Sequence, residues 1–166
     1  MQRLLTPMIF LSLLLAGAIF GFFYAWICST MWGLDTLEPN TAIAAMNAMN
    51  ISVRNGVFMP AFFGTPVVLL ITGAVAFLAS QRKVAILILG AGLVYIIGAF
   101  IPTASVNVPM NIALEAYSEM LPTAQAQEIW NAYSPRWQFW NTLRTIAASI
   151  TLMLVGVALY VLPRRA

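Results

Sequence analysis

The chain is 166 residues long, 61% hydrophobic and only 8% charged. Soluble domains carry about 25% charged residues, so most of this chain must meet lipid, and its length suits one domain without a separate soluble module. The formal charge of +3 comes from basic residues grouped at the ends of apolar segments, which points to membrane topology and excludes a nucleic-acid partner.

Met8 to about Cys28 is apolar throughout and long enough to cross the roughly 30 Å hydrocarbon core. It follows Arg3 but is longer than a signal-peptide core and lacks a small-residue cleavage site, so it reads as a retained span. Gly17 and Gly21 form a GxxxG pattern. Packing against another span of the same chain is preferred over homo-oligomer formation through this pair.

Residues 31–55 form a first polar excursion. Met31 to Asn40 is expected to turn, with Trp32, Asp35, Glu38 and Pro39. Thr41 to Asn55 then reads as a helix with an apolar stripe (Ala42, Met46, Met49, Val53) beside a polar seam of Asn47, Asn50 and Arg54. A helix lying on the membrane surface would carry a broad basic face, so this one is expected to be largely buried.

The second span covers about 57–80, with Pro66 expected to kink it. Gln81-Arg82-Lys83 is a basic turn. The third span covers about 84–101, is rich in glycine at Gly90, Gly92 and Gly98, and is expected to end or kink at Pro102. Residues 103–136 are the second polar excursion. Asn107 is expected to cap a helix reaching Leu121, a short helix follows from Thr123 to Tyr133, and Ser134-Pro135 ends it. The fourth span covers about 137–162.

The fold class is therefore all-α: a four-helix transmembrane bundle, one integral membrane domain over residues 1–166, with short extra helices on the extracytoplasmic side. Arg3, Arg82, Lys83, Arg164 and Arg165 share one end with no carboxylate. All five acidic residues lie at the other. The positive-inside rule then places both termini in the cytoplasm of, most simply, a bacterial inner membrane.

The chain has no histidine and one cysteine, Cys28. Imidazole-based metal sites, haem ligation by histidine, a Ser-His-Asp relay and intramolecular disulfides are excluded. Met46, Met49 and Met110 are read as core filling rather than a copper site. No cofactor is expected, and no mid-span carboxylate suggests ion-coupled transport.

Three polar helical faces converge on the extracytoplasmic end: Asn47, Asn50 and Arg54; Asn107, Asn111 and Glu115; Trp137, Asn141 and Arg144. Arg144 lies about two turns into the fourth span, where an unpaired charge costs roughly 2.5–3.5 kcal/mol. Its expected partners are Glu115, Asp35 or Glu38. Trp130, Trp137 and Trp140 are expected in an interfacial aromatic belt. The faces form either a pocket for a small apolar ligand or the structural network of a non-catalytic scaffold or accessory subunit.

The order Asn47/Asn50, Asn107-Val-Pro-Met-Asn111, then Arg136-Trp137-x-x-Trp140-Asn141-x-x-Arg144 resembles the anthrone-oxygenase-like family of small four-span membrane proteins. The likeness implies a four-span fold. It also implies, from the activity named in fungal polyketide pathways, oxygenation of an anthrone to an anthraquinone without an evident metal or flavin. Such chemistry needs a base, an oxyanion stabiliser and an apolar pocket. The resemblance assigns no roles. On the residues themselves, Glu115 or Asp35 is the candidate base, and Arg144 with Asn111 or Asn141 the candidate stabiliser of an enolate.

Overall fold

The computed structural model describes residues 2–117 and 119–163, with side chains from residue 4 onward. The described residues form helices and no strand. Helix α1 begins as Gln2–Ala25, passes through a π-helical turn at Trp26–Thr30 and finishes as Met31–Asp35. Helix α2 is Pro39–Ser52 and α3 is Phe58–Leu78. Helix α4 spans Arg82–Glu115 with π-helical turns at Ile96–Phe100 and Thr103–Asn107. Helix α5 is Thr123–Val161. Helices α1, α3, α4 and α5 are long and apolar enough to cross a membrane.

These four pack as an antiparallel ring in the order α1, α3, α4, α5. The short α2 lies across one end against α5 and the last turns of α4. Large apolar side chains such as Leu14, Phe77, Ile86 and Met153 point outward, each more than 60% exposed. So much outward hydrocarbon needs lipid as its solvent, and this is an integral membrane protein.

Where lipid surrounds the bundle, helix association depends on close packing and buried hydrogen bonds. Small residues supply the first: a Cβ on Gly98 would collide with that of Ala147, and one on Gly73 would collide with Leu89. Gly17 sits near Leu152 of α5, whereas Gly21 has open space around it. Hydroxyls supply the second. Ser12 and Thr72 hydrogen-bond across α1 and α3 at 3.3 Å, and Thr151 donates to the Ala91 carbonyl of α4 at 3.3 Å.

Pro66 has no N–H for the Phe62 carbonyl four residues before it. The buried Tyr95 hydroxyl donates to that carbonyl at 2.9 Å from α4. Tyr95→Phe should therefore lower stability by about 1–3 kcal/mol by orphaning a buried carbonyl. Thermal unfolding in detergent checks this, and an unchanged midpoint would refute the account.

Three expected helix breaks do not occur. α1 continues past Cys28 to Asp35, α4 continues past Pro102 to Glu115, and α5 runs unbroken through Pro135. Two of the continuations pass through π turns, whose i→i+5 bonding absorbs an extra residue and the missing proline donor. At Pro135 the carbonyl that loses its partner belongs to the exposed Asn131, where water can serve. Asn107 accordingly sits inside α4, makes no side-chain cap, and donates to the Trp137 carbonyl at 3.4 Å.

The real cap is Glu38, whose carboxylate accepts from the Thr41 N–H at 3.1 Å at the start of α2. Desolvation pushes the Glu38 carboxyl up, but hydrogen bonds from Thr41 and Asn40 hold it below its ordinary value. The side chain of Arg3, and Arg164 and Arg165 entirely, lie outside the described residues.

Candidate functional site

A cavity of about 250 Å³ lies inside the end of the bundle that α2 covers. All five helices contribute. α1 gives Phe22, Phe23 and Trp26; α2 gives Met49 and Asn50, with Arg54 just beyond it. α3 gives Phe58, Phe62 and Phe63; α4 gives Thr103, Asn107 and Asn111; α5 gives Trp137 and Arg144. The wall is mostly aromatic: Phe58 and Phe62 stack at 5.5 Å, and Trp26 meets Trp137 at 5.0 Å between ring centroids.

Arg144 is 4% exposed and has no carboxylate partner among the described residues. Its Nη1 donates to Thr103 Oγ1 at 3.1 Å and its Nη2 to Asn141 Oδ1 at 2.9 Å. The guanidinium carbon lies 4.6 Å from the Phe23 ring centroid and 5.2 Å from that of Trp137. These rings attract the cation without neutralising it. Its Nε–H has no partner.

The expected ion pair with Arg144 does not form, because the three acidic candidates sit at helix ends near the rim while Arg144 lies deeper in α5. Glu115 instead binds Arg54 at 2.6 Å. Asp35 accepts from Trp130 Nε1 at 3.0 Å, Ser134 Oγ at 2.6 Å and Gln138 Nε2 at 2.9 Å, tying the end of α1 to α5. Glu38 caps α2. Among the described residues no carboxylate lines the cavity.

Asn111 is the node of the polar network. Its Oδ1 accepts from Trp137 Nε1 at 2.9 Å and from Tyr133 Oη at 2.8 Å. An indole N–H can only donate, so the Asn111 amide has one orientation and its Nδ2 must donate, as it does to Asn50 Oδ1 at 2.9 Å. That leaves Asn50 Nδ2 as an unpartnered buried donor, alongside Arg144 Nε and the unpartnered acceptor Asn107 Oδ1. All three residues line the cavity.

Asn47 and Asn141 stand behind it. Asn47 Nδ2 donates to the Leu114 carbonyl at 3.2 Å, and Asn141 Nδ2 anchors to the Phe23 carbonyl at 3.0 Å while its oxygen holds Arg144. Trp130 and Trp137, expected in an interfacial belt, are each 4% exposed; Trp130 donates to Asp35 near the rim and Trp137 to Asn111 beside the cavity. Half-buried Trp140 packs edge-on to Phe139 and does not reach the cavity.

Sequence reading missed most of the aromatic wall. Its trace was there: the Phe22-Phe23 and Phe62-Phe63 doublets fall at the same end of two neighbouring spans. Thr103, the acceptor for Arg144, was read only as the start of an excursion.

Residues 57–154 match the anthrone oxygenase family model. The chain belongs to that family. Comparison with curated proteins and with solved structures gave no match. In this anthrone oxygenase family member the matched stretch carries Thr103, Asn107, Asn111, Trp137 and Arg144. The residues that close the cavity from the other side, including Phe22, Trp26 and Asn50, precede it.

Proposed function

We propose that the cavity binds a small fused-ring aromatic ketone through its oxygen, favours the enolate form, and promotes its oxygenation by dioxygen. The observation that carries this reading is Arg144, a buried cation in an aromatic wall without a counter-ion among the described residues. A developing oxyanion would take its free Nε–H and the Asn50 amide, and phenolic O–H groups would suit Asn107 Oδ1. Pockets for drug-sized ligands measure about 300–1,000 Å³, so a cavity of about 250 Å³ selects a smaller molecule.

For an anthrone the reaction balances as one ketone and one dioxygen giving one quinone and one water. The ring methylene loses two hydrogens, one oxygen atom becomes the new carbonyl, and the other leaves as water. Of the candidate bases, Glu115 stands one side chain from the cavity, through Arg54. It is the proposed proton acceptor. Asp35 is engaged by three donors that do not line the cavity.

The test is purified protein in nanodiscs with anthrone. Tryptophan emission should be quenched on binding, since Trp26 and Trp137 line the cavity, and oxygen uptake should exceed that of empty nanodiscs. Absence of both would overturn the reading. The lack of a cavity carboxylate favours a non-catalytic membrane component as the alternative, and quenching without faster oxygen uptake would establish it.

The charge distribution supports termini in the cytoplasm and the cavity facing outward. A cysteine at Ser80, in the α3–α4 turn, should then resist a membrane-impermeant maleimide in intact cells, while one at Glu119 should react.

A further inference from the structure

A second recess of about 430 Å³ opens beside the cavity, along the seam between α1 and α3 where the end of α2 covers it with Met49, Ser52 and Val53. Small side chains leave room in it: Ala18 on α1 and Ala61 on α3 both line it. Its floor is apolar and its outer lip reaches Val57, which is 85% exposed at the start of α3. The recess and the cavity share Phe22, Trp26, Met49, Val53 and Phe58, and the rings of Phe22 and Phe58 touch at 4.6 Å between centroids.

We infer that this seam is a lateral portal through which the apolar ligand passes between the bilayer and the cavity, with the Phe22–Phe58 pair as its door. The inference rests on the cavity being a ligand site. Two observations favour this side over the aqueous rim. Arg54 and Glu115 cross the rim with an ion pair at 2.6 Å, a polar strap in the path from water, whereas the recess meets the bilayer with mostly apolar side chains. The recess and the cavity are parted by side chains, those of Phe22, Trp26, Met49, Val53 and Phe58, and rotamer changes in the Phe22–Phe58 contact can open a way between them. The occupant is the fused-ring ketone itself, because a molecule of that class partitions into the bilayer and reaches its highest concentration at the recess.

A portal outside the binding site changes association and dissociation by the same factor and leaves affinity unchanged. The experiment plugs it after folding. Ala18→Cys in a Cys28→Ser background is reconstituted in nanodiscs and labelled with a bulky maleimide; Ile86→Cys, 72% exposed on another face, is the control. Stopped-flow quenching with anthrone should show both rates falling about tenfold or more for the Ala18 label, with the Kd unchanged and the Ile86 label inert. Unaltered rates in the labelled Ala18 protein would overturn the portal while leaving the cavity reading intact. A raised Kd would also overturn it, by showing that the label disturbs the site. Absence of binding by the unlabelled protein would remove the cavity reading and the portal with it.

Discussion

Replacing Arg144 with methionine is expected to weaken anthrone binding about 10- to 100-fold, the range for losing a hydrogen bond from a charged donor. Stability should stay within about 1 kcal/mol of the parent protein, or rise. The two effects part company because of where the charge sits. Arg144 is 4% exposed, held by Thr103, Asn141 and two rings, and meets no carboxylate. A buried ion without its counter-ion is costly, and an apolar side chain of similar volume is often neutral or stabilising. Methionine keeps the volume and leaves the buried Asn141 Oδ1 without its donor, a cost of about 1–3 kcal/mol that removal of the unpaired buried cation offsets. Thermal unfolding and fluorescence titration on the same preparations decide it. A loss of about 3 kcal/mol or more would mark Arg144 as a structural clasp.

Asn111→Ala should do the reverse and act first on stability. The substitution orphans the Trp137 indole N–H, the Tyr133 hydroxyl and the Asn50 carbonyl oxygen together. At about 1–3 kcal/mol for each buried group left unpaired, the cost should reach about 3 kcal/mol or more. The cavity wall should loosen with it, because Trp137 and Asn50 lose the contacts that aim them. Glu115→Ala is the matched control. Its partner Arg54 is half exposed, and a surface ion pair contributes about 0–1 kcal/mol. Equal unfolding midpoints for the two variants would contradict the assignment of Asn111 as the node.

The helices themselves were largely legible in the residues. Runs of apolar side chains longer than the hydrocarbon thickness leave a chain few options in lipid, where each backbone group must find its partner within its own helix. The breaks were misread for a related reason. Pro102, Ser134-Pro135 and the polar run after Cys28 end helices in water. Here π turns carry the backbone past Cys28 and Pro102, the carbonyl freed at Pro135 is left to water, and no local pattern announces either outcome.

Composition and spacing by themselves determined the solvent, the number of spans, the lack of imidazole and disulfide chemistry, and the end of the bundle at which Asn50, Asn107, Asn111 and Arg144 would meet. These depend on periodicity and transfer free energy, which act along the chain. Only the tertiary structure decided partners. It gave Glu115 to Arg54, Asp35 to Trp130 and Ser134, and, among the described residues, no carboxylate to Arg144. It also built the aromatic wall from residues as far apart as Phe22 and Trp137. Which charge finds which depends on depth and on helix rotation within the packed ring. Arg144 lies deeper in α5 than the carboxylates at the helix ends, and among the described residues none of them pairs with it.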